Sequence, residues 1–340
     1  MGEVVTVGQA FQQGLREEML RDDTIFVLGT DLFIRGGHFA QVKGIGPEFG
    51  PERVIDTPIS EAAVVAAGVG AALNGMRPIV DLNFIDFAFG AMDEIVNQAA
   101  KARYLWGRPV PVVIRASSGI ALYAAQHNNS LESWFMHTPG LLVVMPSNAA
   151  DTKGIIKSAL RGEDPVIFFM HKRLTGSRGE VGGPDDYVPI GKAAVTRPGH
   201  SATVVSSGIV VAKVMKAAEI LAADGIELEV IDLRTIFPLD MDLIEESVRK
   251  TGRALVVTEE PPYASVASEV AASVQENAFD YLDAPVARVT AAHAPIAHAP
   301  QLMEAEIPQV EGIVAAVRHS FDRWPSSEQQ PTGQSKGQIM

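Results

Sequence analysis

The apolar and polar positions of this chain alternate in a way that predicts strands and helices in turn. Residues 5–20 carry apolar side chains on one face of a helix, and residues 24–29 form a β-rich run bounded by acidic residues and glycine. The succession of strand and helix continues to residue 170, and a second series runs from residue 202 to a last helix at 310–321. Two such series predict an α/β fold with two domains, each built on a mostly parallel sheet.

A break between the two series indicates where the domains divide. Residues 174–186 are rich in glycine, proline and charged side chains, a composition typical of a linker or a crossing loop. We therefore expect a first domain over residues 1–178, a linker over 179–190 and a second domain over 191–324. Residues 325–340 have no apolar period and few apolar side chains, which predicts a disordered tail.

Residues 53–82 form one strand–helix–strand unit in which a single carboxylate stands at the start of an apolar helix. No charged or polar side chain occurs from residue 62 to residue 73, so a buried helix is predicted behind Glu61, and its alanine and glycine residues allow close backbone approach. One interpretation is a first-turn acid favoured by the helix dipole. The other is a carboxylate whose proton affinity is raised by its apolar surroundings and which exchanges a proton with a ligand.

Composition and charge exclude several classes of function. The 340 residues include 41 acidic and 28 basic side chains, and a net charge of −13 argues against nucleic acid or an anionic membrane as a partner. There is no cysteine, so disulfides, thiolate metal sites and cysteine nucleophiles are excluded. The start of the chain lacks a secretion signal, and no apolar run reaches the ~18 residues of a membrane span. We expect a cytoplasmic protein.

Candidate chemistry lies in loops that follow predicted strands. Glu61 is one such residue, Phe87 lies in the aromatic start of a predicted helix over residues 83–104, and His127 stands among amide side chains in a later loop. Loops at the carboxyl ends of parallel strands share one edge of a sheet, so these side chains are expected to converge. A packing role for Phe87 and a structural hydrogen bond for His127 remain open alternatives. No nucleophile elbow, phosphate loop or dinucleotide fingerprint is present.

Several longer segments resemble one protein family in the same order. They are FGPERVIDTPISE at 49–61, AAQHNNS at 124–130, VIDLRTIFPLD at 230–240 and VVTEEPP at 256–262. From residue 5 to residue 321 the chain resembles the β subunit of the thiamine-diphosphate-dependent 2-oxo acid dehydrogenases, including the acetoin dehydrogenases. The resemblance implies a pyrimidine-binding domain, a transketolase C-terminal-like domain and an oxidoreductase acting on 2-oxo acids or acetoin.

The resemblance also implies roles for individual residues. The glutamate corresponding to Glu61 bonds a ring nitrogen of the cofactor's aminopyrimidine and favours the imino form that activates the thiazolium ring. Ile59 and Phe87 correspond to residues that line the same cofactor pocket. His127 corresponds to a substrate-facing histidine, which stabilises a developing oxyanion or protonates an intermediate.

Partners and metals follow from the same resemblance. The Gly-Asp-Gly motif that holds the diphosphate through magnesium does not occur in this sequence, and in the family it belongs to an α subunit. An α2β2 assembly is implied, with half of each active site on this chain and with a lipoyl acyltransferase core as a further partner. The segment SALRGEDPV resembles a potassium-binding loop. The implied ligands are main-chain oxygens of Val112, Ala159, Leu160, Gly162 and Asp164.

Two other functions stay open on the sequence. One is a split transketolase-type enzyme that moves a two-carbon ketol unit, and the other is a scaffold subunit without chemistry. Asn128 and Asn129 replace the usual Ser-Gln pair after the histidine, so the resemblance does not choose between pyruvate and other substrates.

Overall fold

The computed structural model describes residues 2–121 and 123–324. Its strands, in chain order, are β1 Glu3–Thr6, β2 Ile25–Gly29, β3 Val54–Asp56, β4 Arg77–Phe84, β5 Val113–Ser118, β6 Leu142–Val144, β7 Val166–His171, β8 Arg178–Val181, β9 Ala194–Arg197, β10 Ala202–Ser206, β11 Leu228–Asp232, β12 Thr235–Phe237, β13 Ala254–Val257 and β14 Ala287–Val289. Its α-helices are α1 Val7–Arg21, α2 Ile45–Phe49, α3 Glu61–Leu73, α4 Ala100–Trp106, α5 Glu132–Met136, α6 Ala149–Arg161, α7 Val210–Ala222, α8 Met241–Thr251, α9 Val266–Asn277, α10 Pro300–Glu306 and α11 Val310–Arg323.

Two sheets carry the fold. The larger has the order β12-β6-β7-β5-β4-β2-β3, and every neighbouring pair in it is parallel except β12 with β6. The smaller has the order β14-β13-β10-β11-β9, with only β9 antiparallel to its neighbour. The predicted α/β class with two mostly parallel sheets is therefore confirmed. A separate antiparallel pair joins β1 to β8.

One strand from the second half of the chain belongs to the sheet of the first half. Strand β12 follows β11 in sequence but pairs with β6 of the larger sheet. Strand β8 extends into the segment 179–190, where the sequence predicts a linker. The predicted tail at 325–340 lies outside the described residues.

The region after β4 differs from the single helix that the sequence predicts over residues 83–104. Strand β4 continues to Phe84, a 3-10 helix covers Ile85–Ala91, and a π-helix covers Glu94–Ala99 before α4 begins. The strand takes the start of the predicted helix because its side chains are buried between neighbouring strands, which overrides local periodicity. Short π-helices such as the one at Glu94–Ala99 are frequent at functional sites.

Helix α3 is buried on one face only. Gly68 lies so close to β4 that an added Cβ would come within 2.4 Å of Val80, which agrees with the expected close backbone approach. The opposite face, however, exposes Ala63, Ala66 and Ala67. The prediction of a helix buried on all sides is therefore wrong for this chain alone, because no described residue range packs over that apolar face.

The buried carboxylate of Asp232, at the end of β11, connects the two halves of the chain because it accepts a hydrogen bond from Ser147 of the first half. The pKa of Asp232 is raised from 3.8 to about 7, first by burial and also by the charge of nearby Asp151, while hydrogen bonds from Ser147 and the main chain of Arg234 limit the rise. Because the unfolded carboxyl ionises first, stability is expected to fall as the pH rises from about 4 to about 7. The penalty is complete above that range.

Replacing Asp232 with asparagine should remove this penalty, since the asparagine oxygen can accept from the Arg234 main chain while its NH2 group donates to the Ser147 hydroxyl, without the charge. We expect the variant to unfold at a higher temperature than the parent chain at about pH 8 and at a similar temperature near pH 4, with each pKa unit worth ~1.4 kcal/mol. Thermal unfolding followed by circular dichroism across this range measures the effect. A temperature difference that does not change with pH would contradict the burial of an ionised carboxylate.

Candidate active site

The candidate residues follow three strands, which lie among four neighbours of the larger sheet. Strands β3, β2, β4 and β5 lie side by side and parallel, so their carboxyl ends share one edge. Ile59 and Glu61 come after β3, Phe87 after β4 and His127 after β5. The sheet order therefore brings together side chains that are up to 68 positions apart in the sequence, from Ile59 to His127.

Glu61 opens into a cavity of about 240 Å³. It shares this cavity with Ile59, Phe87, Asp81 and Asn83, so three of the residues singled out from the sequence line one space. Ile59 is 80% exposed and lies at the mouth of this cavity. An open carboxylate beside an exposed apolar side chain and an aromatic ring suits a flat ligand that has one polar edge.

A buried ion pair supports the floor of this cavity. The carboxylate of Asp81 faces the guanidinium of Arg115 at 3.3 Å and accepts hydrogen bonds from the Gln41 side chain at 2.9 Å and from the main-chain nitrogen of Asn83 at 2.8 Å. Burial lowers the pKa of Arg115, and the facing carboxylate of Asp81 opposes that effect. The bond to Asn83 holds this residue at φ +59, so the network sets the shape of the cavity wall.

His127 packs against the aromatic residues of this edge. Its ring stacks on Phe84 at a centroid distance of 4.9 Å and meets the edge of Phe87 at 5.4 Å. The Nδ1 atom is buried and has no hydrogen-bond partner among the described residues. The alternative of a histidine held by a structural hydrogen bond therefore gains no support from this atom, and His127 adjoins the Glu61 cavity through Phe87.

His38, which no pattern in the sequence singled out, lies in the same cluster. Its ring is 5.1 Å from Phe84, and its main-chain nitrogen donates to Asn83 at 3.3 Å. Burial lowers the pKa of His38, and the positive charge of Arg35 lowers it further. The signal was a histidine directly after two glycines in a loop that follows a strand, but its contact with Phe84 depends on the tertiary structure.

A second cavity, of about 740 Å³, lies between the two sheets and holds other polar residues. His137 lines this cavity and not the one at Glu61, although the sequence places it in the same loop as His127. Glu259 accepts from His171 at 2.7 Å behind it. Burial raises the pKa of Glu132 well above its ordinary value, and the nearby carboxylate of Glu260 adds to the rise.

Arg77 contacts two of the predicted main-chain potassium ligands in this structure, and the potassium site stays a prediction. The main-chain oxygens of Leu160 and Gly162 accept hydrogen bonds from Arg77 at 2.9 and 2.6 Å. The oxygen of Val112 accepts from a neighbouring strand, and the Asp164 carboxylate pairs with an arginine at 2.7 Å. The guanidinium of Arg77 therefore supplies positive charge at two of the five predicted positions. Ala159 is the remaining predicted position.

Comparisons with known proteins agree with this architecture. The model of the transketolase pyrimidine-binding domain matches residues 3–177, and that of the transketolase C-terminal domain matches residues 191–313. The chain is 44% identical over 318 residues to the pyruvate dehydrogenase E1 component subunit beta of Rhizobium meliloti, covering 92% of this chain and 69% of that protein. The chain belongs to the β-subunit family of the 2-oxo acid and acetoin dehydrogenases. This family consists of thiamine-diphosphate-dependent oxidoreductases, which confirms the predicted enzyme class.

Other members of the family act on different substrates. The 2-oxoisovalerate dehydrogenase subunit beta of Bacillus subtilis is 42% identical over 322 residues, covering 93% of this chain and 98% of that protein. The acetoin:2,6-dichlorophenolindophenol oxidoreductase subunit beta of Cupriavidus necator is also 42% identical, over 334 residues, covering 94% and 98%. Because this β subunit is almost equally identical in sequence to relatives with different substrates, the comparison does not select its substrate.

A solved structure of a related β chain matches over nearly the whole fold. It is described as a split gene transketolase, inactive β4 tetramer, and it shares 26% identity and a TM-score of 0.79 over 94% of this chain and 99% of that one. Among the described residues, no helix has the length and apolar character needed to cross a bilayer. The human relative, 40% identical, is mitochondrial, so the cytoplasmic location of this β subunit stays a prediction.

Proposed function

We propose that this β subunit supplies the proton-sharing carboxylate of a thiamine-diphosphate enzyme that acts on a 2-oxo acid or acetoin. One observation carries the proposal: Glu61, Ile59 and Phe87 line a single cavity at the start of helix α3. The cofactor, when bound, supplies the carbanion chemistry that the side chains of a protein cannot supply. This chain contributes a polar edge through Glu61, an aromatic face through Phe87 and an apolar contact through Ile59.

The donor set of the cavity fits an aminopyrimidine ring. A carboxylate at a helix start can accept or share a proton at a ring nitrogen. The phenyl ring of Phe87 offers a flat surface for a heteroaromatic ring, and Ile59 lies exposed beside it. Holding one proton at one ring nitrogen is the role that we assign to Glu61.

A partner α subunit would complete the site. The cavity of about 240 Å³ is smaller than the ~300–1,000 Å³ of most sites that enclose a whole ligand of this size. No described group of acidic or histidine side chains is arranged to hold a metal ion, and the sequence lacks the Gly-Asp-Gly motif for diphosphate and magnesium. The uncovered alanine face of α3, at Ala63, Ala66 and Ala67, lies directly behind Glu61 and is where the α subunit would pack.

His127 would face the substrate in this arrangement. Its ring lies against Phe84 and Phe87, next to the Glu61 cavity, and its Nδ1 atom has no partner among the described residues. An imidazole with a free nitrogen can donate to a substrate oxygen or accept a proton from it. We assign that role to His127, with a lipoyl acyltransferase core as the acceptor of the acyl group.

Calorimetry with thiamine diphosphate and magnesium tests the proposed half-site. We expect at least ~100-fold weaker binding to the isolated chain than to the chain co-expressed with an α subunit, since half of the contacts are missing. The circular dichroism of the isolated chain verifies that it is folded. Equally tight binding by the isolated chain would contradict the proposal that another polypeptide holds the phosphates.

A second candidate function is a split transketolase-type enzyme. The observation in its favour is the match of 94% of this chain to the split gene transketolase. The two functions differ in their substrates. One enzyme oxidises a 2-oxo acid or acetoin, and the other transfers a ketol unit from a sugar. Dye reduction with pyruvate or acetoin, compared with ketol transfer from xylulose 5-phosphate, separates them in the assembled complex. Turnover in either assay would contradict a scaffold role.

A further inference from the structure

The loop after β2 places a second imidazole beside His127. The rings of both histidines contact Phe84, His38 at a centroid distance of 5.1 Å and His127 at 4.9 Å. His38 is also tied to the Glu61 cavity, because its main-chain nitrogen donates to the side chain of Asn83, a lining residue of that cavity. His38 and His127 therefore flank one phenyl ring at the margin of the proposed site.

Tyr123 extends this group of rings. Its ring lies 5.4 Å from Phe84 and 6.2 Å from His38, and the ring of Phe39 lies 4.8 Å from His38. Tyr123 is 37% exposed and His38 is also exposed, so their polar ends are open to a ligand while their ring bodies pack together. We call His38, Phe84, Tyr123 and His127 the aromatic wall. It presents an apolar body with polar tips.

The imidazole of His38 is uncharged near neutral pH. The pKa of His38 is lowered by burial first and then by the positive charges of Arg35, Arg115 and His127, so its ring carries one donor and one acceptor. The cations around the wall are already bonded. Arg35 pairs with Asp31 at 3.2 Å, Arg115 pairs with Asp81 at 3.3 Å, and Lys172 donates to the main chain of Gly119 at 2.5 Å.

We propose that His38 is a specificity residue and that it hydrogen-bonds the hydroxyl group of an α-hydroxy ketone, such as acetoin. A hydroxyl both donates and accepts, as an imidazole with one N–H does. A branched aliphatic 2-oxo acid would leave the imidazole of His38 and the phenol of Tyr123 facing hydrocarbon without partners, which costs affinity. A substrate with a second carboxylate would find no unpaired cation among Arg35, Arg115 and Lys172. The inference rests on the proposed function, because it places the substrate beside the Glu61 cavity.

Ligand binding without turnover tests this inference. The probe pair is acetoin and 2-butanone, which share a carbon skeleton and differ in the hydroxyl. In the assembled Glu61→Gln complex with thiamine diphosphate and magnesium, ligand-observed NMR should give a dissociation constant about tenfold lower for acetoin than for 2-butanone. His38→Leu should reduce this ratio to about one, and His38→Gln should restore part of it because glutamine keeps a donor and an acceptor.

The controls separate specificity from packing. His200→Leu changes an exposed histidine in the second half of the chain and should leave the tenfold ratio intact. A purely structural role of His38 would lower the unfolding temperature in His38→Leu and weaken both ligands equally. A ratio near one with His38 present, or an unchanged ratio in His38→Leu, would overturn the inference. The ratio is measured in a variant that does not need to turn over, so it can fail while the proposed function stands.

Kinetics give an independent readout. In the complex that retains Glu61, His38→Leu should raise KM for acetoin about tenfold, and its effect on KM for pyruvate, which lacks the hydroxyl, should be smaller. An equal rise for both substrates would contradict a role for His38 in hydroxyl recognition. Absence of turnover with every 2-oxo acid and with acetoin in the parent complex would instead contradict the proposed function.

Discussion

Replacing Glu61 with glutamine in the assembled complex should lower kcat by about 10²–10⁴-fold, the range that a positioned acid or base contributes. Glutamine keeps the size and a hydrogen-bonding oxygen of Glu61, but it cannot share a proton with a ring nitrogen. Its neighbours Ile59 and Phe87 are unchanged, so the affinity for thiamine diphosphate should change much less than kcat. Dye-linked turnover and calorimetry on the same preparation measure the two effects separately.

Glu52 offers a matched control for this substitution. It is an exposed glutamate nine positions earlier in the same segment and does not line the cavity. We expect Glu52→Gln to leave turnover and cofactor affinity unchanged. Normal turnover in Glu61→Gln would remove the proposed proton-sharing role and would leave Glu61 as a first-turn acid of α3.

Replacing Asp81 with alanine should produce the largest loss of stability, of about 3–5 kcal/mol in the free energy of unfolding. The substitution leaves the guanidinium of Arg115 buried without its carboxylate partner, and it also removes the acceptor used by Gln41 and by the main chain of Asn83. Arg115 is fully buried, so water does not replace the lost partner. Urea unfolding of the isolated chain measures the loss.

Two controls test the cause of this loss. Glu48→Ala breaks an ion pair of similar type with Arg16, at 2.7 Å but at the surface, and it should cost much less stability because solvent screens the charges. The double variant Asp81→Ala with Arg115→Met removes both buried charges and should recover a large part of the stability. A double variant as unstable as Asp81→Ala alone would show that packing, and not the unpaired charge, dominates.

The order of strands and helices could be predicted from the sequence because the apolar pattern of each element reflects which of its faces is buried. The apolar runs at 24–29 and 166–170 predicted strands β2 and β7, and the glycine in the apolar helix predicted the close approach of Gly68 to β4. The family segments also identified Glu61 as the residue to examine. These features depend on neighbours near in sequence or on motifs, so local pattern is sufficient to find them.

Other features required the strand order and the full packing. The helix predicted over residues 83–104 begins as strand because β4 is buried between β2 and β5. The histidine that the sequence analysis missed, His38, reaches Phe84 only because β2 and β4 are adjacent. The loop predicted to bind potassium meets Arg77, which lies 83 positions from Leu160. The pattern of residues along the chain does not show how close two loops come in space when they are far apart in sequence.

The sequence by itself determined the α/β class, the two mostly parallel sheets and, through its motifs, the family, and it proposed Glu61 as the carboxylate that meets the cofactor. The tertiary structure alone decided that Glu61, Ile59 and Phe87 share one cavity, that His127 and His38 flank Phe84, and that helix α3 exposes an alanine face. The physical reason is that periodicity reports which residues are apolar, whereas burial depends on which surface covers them. For α3 that surface is present on the side of β4 and absent from the described chain on the other.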